Sequence, residues 1–493
     1  MSTHSHPATL EKGEDLQLEF VEGVARVDPA AERRLVRKLD LILTPLFFSV
    51  YCATFVDRAN VGNAKVAGLE KDLGLVGYQY NIGLTVFYIF YALCEMPSNS
   101  VCKFISPRWW IPIQVVAFGA VCLATGFVHN YAGFITARVF LGIAEAGVLP
   151  ALALVLSRFY KRDELVLRIG YFVSAAALAG GFGGLLASGF ISAGSILGPV
   201  WANIFVFEGA ITIGLGLVVA VFSTGGPHDA WWLTAEQREL AINRLKRPTS
   251  SISTSKVSGT QQLLRYLATP TPWICAFGYL ACNVTVQGVS LFSPTILRAL
   301  YPGMKTVQIQ LRSVPPYAVA FVWTIFLTFI SSKINRRGIV MLCSFPFALA
   351  GYAIFVATDE TAPNARYGGV FLNILGAFPG GPFWMAWGIG CAATDLERAT
   401  ASGLIPGFGQ LGAIIATWTY LPTDAPNYYQ GNKMQLGFTS LNVFLAFLML
   451  VYVKRENRVR QNGGRDDRMK GGEDEIDEVS RLGINAPSWR FCE

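Results

Sequence analysis

Charge is scarce in this chain of 493 residues. Only 15% of the residues are Asp, Glu, Lys or Arg, whereas 52% are hydrophobic and the mean hydropathy is +0.41. A soluble protein usually carries about 25% charged residues. The charges crowd the first 40 residues, the stretch 224–269 and the segment after residue 453, and the long windows between them contain almost none. This pattern excludes an ordinary soluble protein and predicts a polytopic membrane protein.

Histidine is scarcer still, and the cysteines form no recognisable motif. His4, His6, His129 and His228 all lie outside the predicted membrane centre, so a membrane enzyme with a buried catalytic histidine would lack its base. The nine cysteines include no C-x-x-C pair and lie mostly in apolar segments, which indicates neither a disulfide framework nor a zinc site. We therefore expect no enzymatic activity, no metal and no cofactor.

Both ends of the chain lack a long apolar run. Residues 1–38 are polar and acidic, so we expect a cytoplasmic N-terminal tail without a cleavable signal peptide. Residues 454–493 are rich in charge and glycine, which predicts a disordered cytoplasmic C-terminal tail. Two short tails of this kind disfavour a non-transporting nutrient sensor, which would often carry a long structured extension.

Apolar windows are the dominant feature of the rest of the chain. A helix needs roughly 20 apolar residues to cross a bilayer core of about 30 Å. Twelve windows meet this requirement: 40–57, 80–101, 110–128, 132–156, 168–193, 200–222, 271–297, 313–332, 338–357, 366–391, 401–421 and 435–453. We number them as spans 1 to 12. The sequence thus predicts an all-α polytopic membrane protein with twelve transmembrane helices.

The spans divide into two equal sets around a polar segment. Six lie in residues 39–223 and six in residues 270–453, which predicts two six-helix bundles joined by a central loop at 224–269. Lys and Arg residues concentrate in alternate loops, including 33–38, 158–168 and 454–460. By the positive-inside rule, both termini and the central loop are cytoplasmic. This topology accounts for the net charge of +7 without a nucleic-acid partner.

Ionisable residues inside a membrane are costly, by about 2.5–3.5 kcal/mol each on insertion scales, and usually mark a substrate or ion path. The candidates are Asp40, Asp57, Arg58, Glu95, Arg138 and Glu145. Glu95 lies two residues before Pro97, which removes a backbone donor and opens the hydrogen-bond ladder of the helix. A structural polar contact and a functional role are both open for Glu95.

Arg138 and Glu145 are seven residues apart in span 4, so they share a helix face about 10.5 Å apart along the axis. They are too distant to pair directly, and Asp57 with Arg58 supplies one charge of each sign near the end of span 1. We predict that Asp57 and Glu145 take part in proton coupling. The alternative is a fixed charge cluster that clamps spans 1 and 4 together.

Three further features could serve a ligand or a moving interface. Asn283 and Gln287 form an i, i+4 polar pair in span 7. In span 10, a Pro-Gly-Gly-Pro sequence at 379–382 predicts a helix break, and Trp384 and Trp387 come shortly after it. We predict that all four residues contact substrate, with packing as the alternative for the tryptophans. The glycines at 180–184 in span 5 indicate close helix packing, which a moving interface would also require.

Three motifs together resemble a known family. They are Phe-Val-Asp-Arg-Ala-Asn-Val-Gly-Asn-Ala at 55–64, Glu-Met-Pro-Ser-Asn at 95–99 followed by Pro-Arg-Trp-Trp-Ile-Pro at 107–112, and Arg-Val-Phe-Leu-Gly-Ile-Ala-Glu-Ala-Gly-Val-Leu-Pro at 138–150. The chain resembles the anion:cation symporter family of the major facilitator superfamily from about residue 33 to 453. Within that family it is most similar to the fungal allantoate permease branch.

The resemblance implies a major facilitator fold that alternates between inward-open and outward-open states, with spans 1, 4, 7 and 10 lining a central cavity. It also implies proton-driven movement of organic anions, typically carboxylates. On the matching positions, Asp57 and Glu145 become proton carriers, and Arg58 and Arg138 become charge partners or carboxylate ligands. Arginine suits the second role because its guanidinium can form two parallel hydrogen bonds to a carboxylate.

We therefore predict a monomeric, proton-coupled symporter in the lipid bilayer of the fungal plasma membrane. Its substrate would be a small organic anion, such as a vitamin-like carboxylate or a ureide. Export of an organic acid or secondary metabolite by the same fold remains the alternative, since a fold fixes neither direction nor cargo. A Gly-Pro antiporter motif in span 5 would favour export, and no proline accompanies the glycines at 180–184.

Overall fold

The computed structural model describes residues 29–196, 198–245, 259–334, 336–359, 361–468 and 475–491. These residues form helices, turns and loops, with no strand among them. The predictions for residues 1–28 of the N-terminal tail and for the Ser- and Thr-rich stretch 246–258 of the central loop lie outside the described residues.

Eighteen α-helices are present in the described part of the chain. They are α1 Pro29–Val66, α2 Leu69–Asp72, α3 Gln79–Ile105, α4 Pro107–Thr125, α5 Tyr131–Glu145, α6 Val148–Ser157, α7 Arg162–Ser192, α8 Val200–Phe222, α9 Ala235–Asn243, α10 Gly259–Leu267, α11 Pro270–Leu300, α12 Thr306–Ile334, α13 Arg337–Ala357, α14 Pro363–Ala377, α15 Gly380–Cys391, α16 Asp395–Thr417, α17 Tyr429–Gln461 and α18 Glu475–Leu482.

Ten helical stretches of the described residues are long and apolar enough to cross a membrane. One of them combines α5 and α6 into span 4. The two remaining spans are α3, of 27 residues, and the pair α14 and α15, of 15 and 12 residues. The predicted fold class is therefore confirmed: the chain is an all-α polytopic membrane protein whose twelve spans form two six-helix bundles.

Several helices extend well past the predicted spans. Helix α1 begins at Pro29, before the boundary predicted at residue 39, and contains 38 residues. At 1.5 Å per residue it is about 57 Å long, much more than a bilayer core of about 30 Å requires. Hydropathy marks only the apolar middle of such a helix, because its first turns are polar.

Two spans are broken near their middles. Helix α5 ends at Glu145 and α6 begins at Val148, with Gly147 between them in a left-handed conformation at φ 86°. Helix α14 ends at Ala377 and α15 begins at Gly380. The break predicted in span 10 is confirmed, whereas the break in span 4 was not predicted.

One face of the molecule carries the described end of the N-terminal region, the central segment and the C-terminal segment. Lys38 Nζ donates a 2.8 Å hydrogen bond to Gln237 Oε1 in α9. Arg265 Nη1 in α10 donates a 3.1 Å hydrogen bond to the carbonyl of Arg481 in α18. We call this the terminal face and the other end of the bundles the opposite face.

The C-terminal segment packs against the second bundle, and the disorder predicted for residues 454–493 is wrong for 454–468, which continue from α17, and for 475–491. Trp489 Nε1 donates a 3.0 Å hydrogen bond to the carbonyl of Cys391 at the end of α15. Arg460 donates to the carbonyls of Ile484 and Trp489 at 3.0 and 2.9 Å. Ile484 and Phe491 are buried, so a few apolar side chains anchor a segment whose composition is mainly polar.

The two bundles meet closely toward the opposite face. Asn81 Nδ2 in α3 donates a 2.6 Å hydrogen bond to the carbonyl of Thr417 in α16. A Cβ atom built on Gly62 of α1 would lie only 2.2 Å from the main-chain oxygen of Leu291 in α11. Only glycine allows the main chains to approach this closely.

The glycines of span 5 also lie at the interface between the bundles. A Cβ atom on Gly180 would lie 2.4 Å from the ring of Tyr317, and one on Gly184 would lie 2.5 Å from Ser313 Oγ. Both neighbours belong to α12 in the second bundle. The predicted close packing is confirmed, and the contact joins the two bundles.

Candidate functional site

Arg58 of α1 and Glu145 of α5 form a buried ion pair. The Arg58 Nε and Nη2 atoms lie 2.8 and 2.5 Å from Glu145 Oε1. The two side chains are 9% and 0% exposed. The structure thus brings together two of the charges that were expected to need partners.

Aromatic rings surround the Arg58 guanidinium. Its carbon Cζ lies 5.1 Å from the ring centre of Phe55, 5.7 Å from that of Phe87 and 4.9 Å from that of Tyr91. Such cation–π contacts stabilise a desolvated guanidinium without neutralising it. Arg58 therefore keeps its positive charge in a largely apolar setting and can serve an anion other than Glu145.

A small cavity of about 10 Å³ lies between the bundles beside this pair. Its lining contains two arginines within an apolar and aromatic surface: Arg58, Val61, Leu84, Phe87, Tyr88, Arg138, Leu141 and Leu291. A cavity of this size has room for about one water molecule. A substrate therefore requires the lining helices to separate from the described arrangement.

Arg138 is the second positive charge at this cavity. Its side chain is buried, and its Cζ lies 5.2 and 5.7 Å from the rings of Phe134 and Phe205. Within the described residues, its Nε and Nη2 atoms have no hydrogen-bond acceptor. A buried donor without a partner is costly, so Arg138 is suited to receive an acceptor such as a carboxylate.

Asp57 lies in a separate acidic cluster of the first bundle. Asp57, Cys122 of α4 and Glu208 of α8 are all buried, and each places an oxygen or sulfur atom within 4.8 Å of the others. Arg138 interacts electrostatically with both carboxylates. The sequence reasoning missed Glu208, although it is the only acidic residue between positions 200 and 222.

The break in span 4 positions Glu145. Since the helix is interrupted after Glu145, the Ala146 carbonyl lacks its usual partner and instead accepts a hydrogen bond from Gln114 Nε2 of α4. Gln114 also donates to Ser98 Oγ of α3 at 2.9 Å. A Cβ atom on Gly147 would lie 2.3 Å from that hydroxyl oxygen. Two neighbouring spans, α3 and α4, therefore hold the end of α5 in place. The Gly147–Pro150 pair was the available sequence signal.

Gln287 connects the second bundle to the cavity. Its Oε1 atom accepts a 3.0 Å hydrogen bond from the hydroxyl of Tyr88, which lines the cavity. Asn283, one turn away, instead donates a 2.6 Å hydrogen bond to the carbonyl of Gly409 in α16. The predicted polar pair is thus divided between a contact with the first bundle and one within the second.

Trp384 and Trp387 lie inside the second bundle, and neither ring lines the cavity described above. Trp384 Nε1 donates a 3.1 Å hydrogen bond to Asn442 Oδ1, and its ring packs on Gly278. Trp387 packs on Gly338 and stacks on Trp384. The described arrangement favours the packing alternative for both rings, and a substrate contact stays a prediction.

The other two ionisable candidates lie apart from the central pair. Asp40 forms an ion pair with Arg168 of α7, with Nη2 and Oδ2 2.8 Å apart, near the terminal face. Glu95 is partly buried in α3 and interacts electrostatically with Arg58. Asp40 thus links spans 1 and 5, whereas Glu95 lies within the electrostatic influence of Arg58.

A family model and individual relatives both match this chain as a membrane transporter. A family model described as the Major Facilitator Superfamily matches residues 47–417. An uncharacterized transporter of Schizosaccharomyces pombe is 31% identical over 459 residues, covering 92% of this chain and 89% of its own. The high-affinity nicotinic acid transporter of Saccharomyces cerevisiae is 30% identical over 438 residues, covering 88% of this chain and 80% of its own.

A solved structure shows the same fold. The bacterial homologue of the human lysosomal transporter Spinster, in an inward-facing and unoccupied conformation, is similar with a TM-score of 0.61. The match covers 83% of this chain and 96% of the bacterial protein at 16% sequence identity. At this identity the likeness concerns the fold alone.

Proposed function

The chain belongs to the Major Facilitator Superfamily of membrane transporters, and on that premise we propose that it carries a small organic anion together with protons by alternating access. The observation that carries this proposal is the pair of buried arginines, Arg58 and Arg138, at one cavity between the bundles. Two guanidinium groups in an apolar setting favour an anion. The substrate leaves the carrier chemically unchanged.

Glu145 gives the site a means of proton coupling. In the described state the Glu145 carboxylate forms an ion pair with Arg58. A proton on the Glu145 carboxylate removes its charge, so Arg58 then becomes available to the carboxylate of the substrate. Release of the substrate and of the proton restores the ion pair. Asp57 acts in the same way toward Arg138, because the two charges interact across the first bundle.

The cavity lining favours a compact carboxylate with an apolar or planar body. Phe87 and Tyr88 provide aromatic surface next to the two arginines. The nicotinic acid transporter among the relatives is named for such a molecule. We propose on this basis that the chain belongs to the anion:cation symporter branch, near the fungal allantoate permeases, and that it prefers vitamin-like carboxylates to ureides as substrates.

The proposed setting is the plasma membrane, with a monomer whose termini are cytoplasmic. The alternate-loop distribution of Lys and Arg supports this orientation. The described contacts at Asn81, Thr417 and Gly62 then close the path from outside the cell. Net movement is inward with the proton gradient.

The test is uptake of radiolabelled carboxylates and ureides into vesicles reconstituted with the full chain. A proton gradient is imposed with the acidic side outside, or collapsed with an ionophore. We expect accumulation of a small carboxylate only with the gradient, and loss of accumulation in an Arg58→Gln variant. Accumulation that is independent of the gradient would contradict proton coupling. Faster loss of a preloaded compound against an opposing gradient would instead establish export.

A further inference from the structure

Glu208 is a buried carboxylate that the exchange at Arg58 and Glu145 does not use. It lies in the middle of α8 and is 3% exposed. Across the described residues, no donor forms a hydrogen bond with either of its side-chain oxygens. Among these residues, the neighbouring Asp57 carboxylate has only the weakly donating thiol of Cys122 beside it. Two neighbouring carboxylates with so few donors would be costly if both were ionised.

Close packing of α4 on α8 brings Glu208 to this position. A Cβ atom on Gly209 would lie 2.4 Å from the main-chain nitrogen of Leu123, and one on Gly119 would lie 2.9 Å from that of Ile213. The two glycines allow the main chains to cross at short range. Cys122 precedes Leu123 in sequence, and Glu208 precedes Gly209. The close helix contact therefore brings Cys122 and Glu208 together beside Asp57.

The charged and titratable groups around Glu208 come from three other helices. Asp57 and Cys52 belong to α1, Cys122 to α4 and Arg138 to α5. One arginine thus faces two carboxylates. A single proton balances the charges of the two carboxylates and the arginine.

We infer that Asp57 and Glu208 share one proton, and that Glu208 is a proton-binding residue of the carrier distinct from the Arg58–Glu145 pair. The inference rests on the proposed proton-coupled transport for its role in the cycle. While Arg138 neutralises Asp57, the proton resides on Glu208. When Arg138 binds the substrate carboxylate, the O–H bond of Glu208 breaks and one forms on Asp57. Hydronium from the open side then supplies a proton to Glu208. When the substrate leaves and Arg138 returns to Asp57, the proton on Asp57 passes to water on the other side, which restores the single shared proton.

Infrared spectroscopy of the purified full-length protein without substrate tests the shared proton directly. We expect a carbonyl stretch of a protonated carboxylic acid that disappears in Glu208→Gln and shifts in Asp57→Asn. Thr212→Val, which alters a buried polar side chain one turn further along α8, should leave the band unchanged. A band unaffected by Glu208→Gln, or a band replaced on addition of zinc ions, would overturn the inference.

Uptake at different external pH values tests the role of Glu208 in transport. Glu208→Gln should slow uptake at least tenfold at neutral pH and much less at acidic pH, where Asp57 can take its proton directly from water. Glu208→Asp should restore the wild-type pH profile, and melting temperatures of both variants identify a purely structural defect. An unchanged pH profile would contradict the inference while leaving the proposed transport intact. A Glu208-dependent band without carboxylate transport would contradict only the proposed function.

Discussion

Arg58 places both of its donating nitrogens, Nε and Nη2, on a single oxygen of Glu145. The other oxygen, Oε2, is buried and has no hydrogen-bond donor among the residues that the structure describes. The pair therefore lacks the parallel two-oxygen geometry that makes arginine–carboxylate contacts strongest. This arrangement fits an interaction that is exchanged during a cycle better than one that only clamps two helices.

Glu145→Gln should abolish gradient-driven accumulation while exchange of bound substrate continues. Glutamine resembles the protonated acid in shape but cannot lose or regain a proton. Arg58 then stays available to substrate throughout the cycle. Parallel assays of accumulation and of exchange in vesicles separate the two activities. Retained accumulation would remove Glu145 from the coupling step.

Arg138→Lys should weaken substrate binding by roughly 10- to 100-fold. A hydrogen bond to a charged group contributes about 1.5–3 kcal/mol, and lysine cannot reproduce the planar donor pair of arginine. Binding is measured on purified protein by calorimetry with the carboxylate identified in the uptake screen. Arg168→Lys, near the terminal face, provides a matched control. Wild-type affinity in Arg138→Lys would show that Arg138 does not bind the substrate.

Gly62→Ala should favour separation of the bundles on the opposite face. The new Cβ atom would meet a main-chain oxygen at 2.2 Å, which no side-chain rotation can relieve. Overpacking of this kind costs about 1–3 kcal/mol, and here the cost falls on the closed state. Cross-linking of cysteines introduced at Tyr78 and Trp418, whose rings lie 5.9 Å apart, reports the closure.

Gly189→Ala is the control for this experiment, because no atom would lie within 4 Å of its added Cβ atom. We expect cross-linking to fall in Gly62→Ala and to stay at the parental rate in Gly189→Ala. Equal cross-linking in both variants would show that the Gly62 contact does not determine the closed state.

Trp489→Ala should release the C-terminal segment from the second bundle. The substitution removes the hydrogen bond to Cys391 and the packing of the indole, and large aromatic truncations in packed regions cost about 3–5 kcal/mol. Hydrogen exchange of residues 475–491 should then become faster. Trp231→Ala, at an exposed tryptophan, should leave that exchange unchanged. Equal protection in the two variants would contradict the docking.

Hydropathy predicted the spans well because a bilayer imposes one requirement on every crossing helix. The need to pair buried charges also predicted that Arg138 and Glu145 would find partners other than each other, with Asp57 and Arg58 supplying one charge of each sign. The structure pairs Arg58 with Glu145. The sequence could not show that Trp384 and Trp387 pack within the second bundle. Helix α15 is apolar on all sides, so its sequence does not indicate which side faces the bundle interior. Side-chain direction depends on neighbours such as Gly278 and Asn442 that lie far away in sequence.

Three other features could not be predicted from the sequence, each for a physical reason. Glu208 was overlooked because its surroundings are so apolar that the window reads as one uniform span, although a lone acid there was itself the signal. The break after Glu145 depends on Gln114 replacing a helical hydrogen bond, which is a tertiary contact. The C-terminal segment looked disordered because Ile484, Trp489 and Phe491 are too few to raise its mean hydropathy.

Each broken span contains a short half-helix that can tilt separately from the rest of the span. Helices α6 and α15 contain only 10 and 12 residues, and both lie on the terminal side of their breaks. A two-residue link joins each of them to the other half of its span, which leads to the opposite face. We expect a path from the cavity to the terminal face to open by tilting of these half-helices, with the opposite-face contacts left intact. Tilting a half-helix would disturb less packing than rotating a whole bundle.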